Sequence, residues 1–465
     1  AQESRGLGDV YKRQSLARTP KPKNQSSDAI AHNSASVFRA GEVLGRYDKQ
    51  RLPNYDVFDD WRNFIPGEHE VIFEVAGTKC AVAICEDIWE EHSPRADLLK
   101  EAGVQLLVVP NGSPYTRNKS EQRRSAARSF AAGMAVAYVN LSGGQDELVF
   151  DGDSFILDPQ GNEIASAGMA PGLYLVGETP SETVDQYERL FEVLVLGLRD
   201  YLRKTGQRKV ILGLSGGIDS ALCAAIAKEA VGADNVTGVL LPSRYSSGHS
   251  LADAEQLALN LGIEHRTIAI EPAHSAFESS LKLSNLAQEN IQARIRAVIL
   301  MGISNSEGHL LISTGNKSEV AVGYSTMYGD AAGGFAPIKD VYKTDVWKLA
   351  ETYNRVKGSD MIPQNSISKP PSAELRPGQL DQDSLPDYQL LDAVLELLIE
   401  GKRTVSEIAA AGFDAATVSS IDGMVRASEW KRSQGAIGTK TTDIAFGRGE
   451  WHPATSPESD VGGFG

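Results

Sequence analysis

Residues 213–220, Gly-Leu-Ser-Gly-Gly-Ile-Asp-Ser, combine the glycines and polar side chains that a phosphate-binding turn requires. An apolar run ending at Leu212 precedes them and a helical run beginning at Ala221 follows, so a strand, a turn and a helix are predicted in that order. Gly216 and Gly217 let the backbone approach an anion closely, and the N–H groups at the start of the helix face it. Because no Gly-Lys-Ser/Thr ending is present, the segment differs from the Walker phosphate loop.

Three polar side chains add to this backbone site. Ser215 and Ser220 can donate hydroxyl hydrogen bonds, and the carboxylate of Asp219 is placed where a phosphate-bound Mg²⁺ would sit. An ordinary glycine-rich turn between a strand and a helix is the alternative explanation, and it would suffice for a bare Gly-Gly pair. The complete segment in this setting favours a phosphate site.

The elements that position this turn follow an alternating pattern. Strands are predicted at 210–214, 236–241, 266–270 and 310–313, with helices that begin near 221, 251 and 317 and others that reach 301. Such alternation predicts a doubly wound parallel sheet. The amphipathic stretch 185–204, closed by Gly206, is predicted as a helix that connects this domain to the preceding one.

The first half of the chain is predicted as a layered α/β sandwich, because mixed strands accompany only two helices. Hairpin turns are predicted at 40–42, 76–78 and 159–162, helices at 96–102 and 120–133, and buried strands at 104–109 and 135–141.

The stretch 362–386 is rich in Pro, Ser, Gln and Asp, which leaves two explanations open: a mobile linker or a lid over an active site. Helices are predicted after it at 388–400 and 424–431.

The segment 213–220 resembles the pyrophosphate loop of the ATP pyrophosphatases, and further stretches resemble the NAD⁺ synthetase family. Those stretches lie at 242–247, 289–296, 313–319 (Ser-Thr-Gly-Asn-Lys-Ser-Glu), 328–330, 333–337, 341–343, 369–377 and 429–432. The resemblance implies a Rossmann-like doubly wound sheet of the adenine nucleotide alpha hydrolase type. It also implies an ATP-binding set that consists of Gly213, Leu214, Ser215, Gly216, Gly217, Ile218, Asp219, Ser220, Arg296, Thr314 and Lys343.

The resemblance implies a reaction in two steps. The nicotinate carboxylate of deamido-NAD⁺ attacks the α-phosphorus of ATP, which gives an adenylate and pyrophosphate, and ammonia then displaces AMP to leave the amide. Asp219 and Glu319 would hold Mg²⁺. Asn290, Glu319 and Lys431 would lie on the deamido-NAD⁺ side, so Glu319 has two alternative roles.

Cys85 ends a predicted strand in the stretch Ala-Ile-Cys-Glu-Asp-Ile-Trp at 83–89, which resembles the nucleophile segment of the nitrilase superfamily. A turn at the end of a strand can expose its sulfur, whereas Cys80 is expected to be a buried structural residue. The stretch 47–55 resembles the lysine segment of that family, so Lys49 would stabilise the thiolate and the oxyanion. The resemblance assigns glutamine binding to Tyr55, Ser113 and Lys119.

One expected member of a nitrilase site, a glutamate general base on an earlier strand, has no match before Lys49. We therefore expect an amidase domain that is truncated at its front, impaired glutamine use, and ammonia as the better nitrogen source. Residues 7–14 look like translated adaptor sequence, so residues 1–14 are interpreted as non-native. The predicted domains are a non-native or disordered 1–28, a partial nitrilase-like α-β-β-α sandwich at 29–180, a connecting helix at 181–206, a synthetase domain at 207–453 and a disordered tail at 454–465.

The composition restricts the class of protein. A net charge of −15 over 465 residues argues against general nucleic-acid binding, and no apolar run is long enough for a membrane span. The 3 cysteines lie in apolar settings that favour neither a disulfide framework nor a zinc site, as expected for a cytoplasmic enzyme. The resemblance further implies a homo-oligomer.

Three further functions stay open on these observations. The chain could be an ammonia-only NAD⁺ synthetase, another ATP-pyrophosphatase amidotransferase such as a GMP or asparagine synthetase, or a non-catalytic nucleotide-binding or scaffold protein. Cys85 with its following residues and an upstream lysine favours a nitrilase-type partner domain. The combination of Ser215, Asp219, Glu319 and Lys343 counts against a non-catalytic role.

Overall fold

The computed structural model describes residues 31–90, 93–131, 133–174, 184–447, 449, 452 and 454. The chain divides into two compact units, of which the first comprises 1–143 and 149–183 and the second comprises 144–148 and 184–465. The predictions for the N-terminus (1–28) and for the tail beyond 454 lie outside the described residues.

The first unit is built on a six-stranded mixed sheet with the strand order β10-β9-β6-β5-β4-β3, and β1 pairs separately with β2. Strands β4, β5 and β6 run parallel, whereas β3, β9 and β10 pair in antiparallel fashion. The described elements are β1 (Ser34–Arg39), β2 (Glu42–Asp48), α1 (Asp60–Asn63), β3 (Ile72–Val75), β4 (Thr78–Val82), α2 (Pro94–Glu101), β5 (Leu106–Asn111), α3 (Lys119–Ala131), β6 (Ala135–Asn140), β7 (Ser142–Gln145), β8 (Leu148–Asp151), β9 (Phe155–Leu157) and β10 (Glu163–Ser166).

The three predicted hairpins and both predicted helices of this region are confirmed. Alternate residues of β5 and β6 are buried, as the period of two in a strand requires, and they pack in one apolar core with Phe130 of α3. Strand β4 ends at Val82 rather than at Cys85 as predicted, and a 3₁₀ turn, Cys85–Ile88, begins three residues later. The parallel part of the sheet thus places the turn that carries Cys85 at the carboxyl end of β4.

The second unit contains a four-stranded parallel sheet with the order β13-β12-β11-β14, which confirms the predicted doubly wound arrangement. The order places β11 at the centre, where the direction of winding changes and where ligands bind in such sheets. The elements are α4 (Gln186–Thr205), β11 (Lys209–Gly213), α5 (Ile218–Val231), β12 (Val236–Leu240), α6 (Gly248–Leu261), β13 (Glu264–Thr267), α7 (Glu271–Ser280), α8 (Asn285–Glu307), β14 (His309–Leu311), α9 (Lys317–Val322), α10 (Lys343–Lys357), α11 (Gln364–Ser368), α12 (Tyr388–Ile399), α13 (Val405–Ala410), α14 (Ala415–Ala427) and α15 (Glu429–Arg432).

Several boundaries in this unit differ from the prediction. Strand β13 covers Glu264–Thr267 rather than 266–270, because Gly262 ends α6 in the left-handed conformation and the chain enters the strand at once. Helices α10 and α13 had no sequence prediction. No helix among the described residues is long and apolar enough to cross a membrane.

Candidate active sites

The turn at 213–220 connects β11 to α5, as the sequence predicts, and its glycines are required by geometry. Gly216 has a φ of 77°, and a Cβ atom there would lie 2.2 Å from the backbone oxygen of Ser250. Gly217 is the N-cap of α5 without a capping side chain, and its N–H donates to Ser215 Oγ over 3.1 Å. A helix N-terminus beside two hydroxyl groups suits an anion.

This turn forms one wall of a cavity of about 320 Å³, which is large enough for a nucleotide-sized ligand. Arg296 of α8 lines the same cavity, and its Nε donates to the Leu241 backbone oxygen over 3.0 Å. The structure thus brings together almost the whole ATP-binding set, since the cavity is lined by Gly213, Leu214, Ser215, Gly217, Ile218, Asp219, Ser220, Arg296, Thr314 and Lys343.

A cluster of three charged side chains lies in this cavity. Lys343 Nζ donates a hydrogen bond to Asp219 Oδ2 and lies 3.3 Å from Glu319 Oε1. Asn316 Nδ2 donates to the other oxygen of Asp219 over 2.8 Å, so both oxygens of that carboxylate are oriented. Burial raises the pKa of Glu319, with Lys343 acting in the opposite direction. Burial alone would lower the pKa of Lys343, but Asp219 and Glu319 outweigh it, so this pKa lies above its usual value.

The donor atoms of this cluster fit a magnesium ion that is also bound by phosphate. Two carboxylates, from Asp219 and Glu319, are the hard oxygen ligands that Mg²⁺ takes from proteins when substrate phosphates and water supply the rest. Among the described residues, no group of three or more His, Cys, Asp or Glu side chains could hold a metal by itself. A magnesium ion here would therefore depend on the nucleotide for part of its coordination.

Glu319 also lines a second, smaller cavity of about 40 Å³, on whose wall Lys431 and Asp330 lie. Lys431 Nζ donates to the backbone oxygens of Gly323 and Ser325 at 2.7 and 3.1 Å. Because Glu319 faces both cavities, its position is compatible with both of the roles that the resemblance implies. Asn290 lines neither cavity, and its Oδ1 accepts a hydrogen bond from Thr326 Oγ1 over 2.9 Å.

The stretch 362–386 contributes residues that the sequence prediction did not assign to the site. The structure places Lys369, Glu374 and Asp381 on the wall of the larger cavity. Glu374 accepts hydrogen bonds from the hydroxyl groups of Ser247 and Ser250 at 2.8 and 2.7 Å. These contacts fit a lid over the active site better than a mobile linker. The polar composition of 362–386 was the feature of the sequence that could have indicated its place in the site.

A second candidate site surrounds Cys85 in the first unit. The expectation that the turn exposes its sulfur is wrong, because Cys85 is only 8% exposed. Its φ of 47° lies in the left-handed region, which is strained for a residue with a side chain and marks a sharp backbone turn at this position. Burial raises the pKa of the Cys85 thiol, while Lys49 and a hydrogen bond from the Gly112 backbone act to lower it.

The other predicted residues of this site differ in their contacts. Lys49 is buried, and its Nζ lies 2.6 Å from Asp60 Oδ2. Tyr55 Oη donates to the Glu86 carboxylate over 2.9 Å, next to the nucleophile. Arg123, which the prediction missed, is fully buried and holds the segment of Ser113 through Ser113 Oγ and the Ser113 backbone oxygen. Lys119 Nζ lies 4.3 Å from the ring centroid of Trp89, the residue that ends the turn begun by Cys85.

The raised pKa of Cys85 predicts slow alkylation of this thiol at neutral pH. Only the thiolate reacts with iodoacetamide. As long as the pH is below the pKa of the thiol, the labelling rate should therefore increase about tenfold for each unit by which the pH is raised. We expect Cys85 labelling, followed by mass spectrometry of the intact folded chain, to increase continuously from pH 7 to beyond the usual pKa of a free thiol. A labelling rate that levels off near pH 7 would contradict the buried, neutral thiol.

Comparison with known proteins supports a division into two functional domains. Residues 15–189 match the carbon-nitrogen hydrolase family and residues 190–435 match the NAD synthase family. A glutamine-dependent NAD(+) synthetase of Thermotoga maritima is 42% identical over 481 residues, which cover 92% of this chain and 84% of the relative. One from Xanthomonas campestris pv. campestris is 45% identical over 455 residues, covering 93% and 82%.

Solved structures give the same result. A glutamine-dependent NAD⁺ synthetase from Acinetobacter baumannii, in complex with ADP, is 38% identical with a TM-score of 0.70, and the match covers 93% of this chain and 82% of that one. A second such enzyme, from Cytophaga hutchinsonii, is 22% identical with a TM-score of 0.76 and supports the fold alone. Both domains are matched within single relatives, which favours the fusion enzyme over an ammonia-only synthetase or an ATP pyrophosphatase with a different amidotransferase domain. The chain belongs to the family of glutamine-dependent NAD⁺ synthetases.

Proposed function

We propose that this chain amidates deamido-NAD⁺ to NAD⁺ with ATP, and that the cluster of Asp219, Lys343 and Glu319 beside the pyrophosphate turn carries the first chemical step. The observation behind this proposal is the meeting of a glycine-rich helix N-terminus, two carboxylates and a buried lysine in one cavity of about 320 Å³. We also propose that the nitrilase-like domain spans 29–180, the connecting helix 181–206 and the synthetase domain 207–453.

In the first step, the nicotinate carboxylate attacks the α-phosphorus of ATP and the bond to the pyrophosphate oxygen breaks. The turn at 213–220 would hold the departing phosphates through its amides and the hydroxyls of Ser215 and Ser220. The Lys343 ammonium, kept protonated by Asp219, would neutralise charge on the pyrophosphate. A bound Mg²⁺ would add further charge neutralisation at the same phosphates.

In the second step, ammonia attacks the carbonyl carbon of the adenylate, the bond to the AMP oxygen breaks, and a proton leaves the new amide nitrogen. We assign Asn290, Glu319 and Lys431 to the deamido-NAD⁺ side. Lys431 and Glu319 line the small cavity next to the nucleotide site, which supports this assignment. Asn290 lies on α8, the helix that also carries Arg296.

The first unit would supply the ammonia. Cys85 as thiolate attacks the carboxamide carbon of glutamine, and the C–N bond breaks as the nitrogen takes up a proton from water and leaves as ammonia. A second water then hydrolyses the thioester to glutamate and restores the thiol. We assign to Lys49 the stabilisation of the thiolate and the oxyanion, supported by its effect on the pKa of Cys85. Tyr55, Ser113 and Lys119 are assigned to glutamine binding.

We further propose a cytoplasmic homo-oligomer. Leu286 and Val298 on α8 are 55% and 70% exposed, and Met301 on the same helix is also exposed. Leu286, Asn290, Arg294, Val298 and Met301 follow one another at intervals of three or four residues. The three exposed apolar side chains therefore lie on the same side of α8 as Asn290 and Arg294. A second copy of the chain that packed on this face would cover these exposed apolar side chains.

The test of the proposed function is product identification with two nitrogen sources. The purified chain is supplied with deamido-NAD⁺ and ATP–Mg²⁺, and with either ammonium or glutamine, and NAD⁺, AMP and pyrophosphate are quantified. We expect the three products in equal amounts with ammonium. Formation of ADP and phosphate, or amidation of another acceptor such as aspartate in place of deamido-NAD⁺, would contradict the proposal.

A further inference from the structure

Helix α10, which carries Lys343, is capped by residues of other helices. Its N-cap, Tyr342, makes no side-chain hydrogen bond to the first turn, so the first amides must find acceptors elsewhere. Lys343 N donates to Ser318 Oγ over 2.9 Å, and Thr344 N donates to Asp392 Oδ2 over 2.8 Å. Ser318 belongs to α9 and Asp392 to α12.

Ser318 and Asp392 form one connected unit. The Ser318 hydroxyl donates to Asp392 Oδ1 while it accepts the hydrogen bond from Lys343 N, so both its hydrogen and a lone pair are used. Both residues are buried, and a buried network of this kind is rigid when each polar group is satisfied. The carboxylate of Asp392 also lies at the positive end of the α10 dipole, where a negative charge is favourable.

The position of Asp392 is itself fixed by packing. Its neighbours on α12, Leu391, Val394 and Leu395, are all fully buried in the apolar core formed by the C-terminal helices. A carboxylate on this helix therefore has little freedom to follow a shift of α10. The C-terminal helical layer thus determines where α10 begins.

The position at which α10 begins determines which groups the Lys343 side chain can contact. Lys343 is 1% exposed, and its Nζ contacts Asp219 and Glu319 from the first residue of the helix. A change in the first turn would move this ammonium relative to the cavity. Misplacement of a reacting or stabilising group by about 1 Å can reduce a rate by about 100-fold.

We propose that Ser318 and Asp392 are positioning residues for Lys343 in the adenylation step. Neither residue lines the cavity of the pyrophosphate turn or the smaller cavity beside it. They fix the first turn of α10 so that the Lys343 ammonium meets the pyrophosphate. This inference rests on the proposed role of Lys343.

The test compares Ser318→Ala, Ser318→Thr and Asp392→Asn in two assays: NAD⁺ formation with ammonium, and ATP–pyrophosphate exchange with deamido-NAD⁺, which reports the first step alone. We expect Ser318→Ala and Asp392→Asn to lower kcat in both assays by about 10- to 100-fold. The KM for ATP should stay within about twofold of the parent value, because the contacts that bind ATP equally in the ground state and the transition state are unchanged. Ser318→Thr keeps the hydroxyl group and should recover most of the rate.

Asp387→Ala is the matched control. Asp387 is the exposed N-cap of α12 and accepts a hydrogen bond from Gln389 N over 2.9 Å, so its loss costs capping energy without touching α10. Its rates should equal those of the parent chain even if its melting temperature falls. Equal losses in Ser318→Ala and Ser318→Thr would overturn the proposal.

A Lys343→Met variant separates failure of this proposal from failure of the function that it depends on. If Lys343→Met exchanges pyrophosphate at the parent rate, the assigned role of Lys343 is wrong. If Lys343→Met is inactive while Ser318→Ala and Asp392→Asn keep the parent rates, only the positioning role is wrong. If both roles hold, Ser318→Ala should add no further loss to the Lys343→Met chain, because coupled residues are non-additive.

Discussion

Asp219→Asn should reduce NAD⁺ synthesis by about 100- to 1000-fold with either nitrogen source, the loss expected when a preorganised charge at a phosphoryl-transfer site is removed. The substitution keeps the shape of the side chain, so Asn316 and Lys343 retain a neighbour to contact. It removes one of the two carboxylates proposed for Mg²⁺ and the negative charge that keeps Lys343 protonated. ATP–pyrophosphate exchange should fall in parallel with NAD⁺ formation.

Asp219→Ala should be equally inactive, and Asp234→Asn is the control. Asp234 is an exposed carboxylate shortly after α5, so its neutralisation changes the net charge equally without reaching the cavity. Breaking a buried ion pair can cost about 3–5 kcal/mol, so unfolding must be measured for each variant. A folded Asp219→Asn chain that synthesises NAD⁺ at the parent rate would contradict the assignment of Asp219 as a ligand of Mg²⁺.

The pyrophosphate turn could be predicted because its requirements are local. Gly216 must adopt a φ of 77° close to the backbone of Ser250, and only glycine fits there, so the chemistry of the turn is visible in consecutive residues. The alternation of strands and helices also follows from local hydrophobic patterns, and it gave the correct sheet for the second unit.

The rest of the site depends on contacts between distant residues, which no local pattern reveals. Lys343 and Asp219 are 124 residues apart, and Asn316 and Asp219 are 97 apart. Helix α10 lacks a sequence signal for its start because its acceptors, Ser318 and Asp392, lie 25 and 48 residues from the amides that they cap. The same limit explains the error at Cys85, since a turn at the end of a strand can direct a side chain outward or inward.

Cys85→Ala should abolish glutamine-dependent synthesis, which we expect to be the weaker of the two activities in the parent chain, and leave ammonium-dependent synthesis within about twofold of the parent rate. The sulfur is the only proposed nucleophile for the carboxamide, and alanine removes it from a buried position with little change in side-chain size. Free ammonia needs no thioester, so the synthetase cavity should work without Cys85. NAD⁺ formation is measured with glutamine and with ammonium at saturating ATP.

Cys80→Ala is the matched control, because Cys80 is a buried thiol of the same unit, five residues earlier on β4. Loss of a buried thiol should lower the stability of both variants similarly, and only Cys85→Ala should change the ratio of the two rates. Cys85→Ser, which keeps a hydroxyl group, should also lose glutamine use because a serine in this turn is a far weaker nucleophile. Persistent glutamine-dependent synthesis in Cys85→Ala would mean that ammonia is released by a different nucleophile. The proposed roles of Cys85 and Lys49 would then both be wrong.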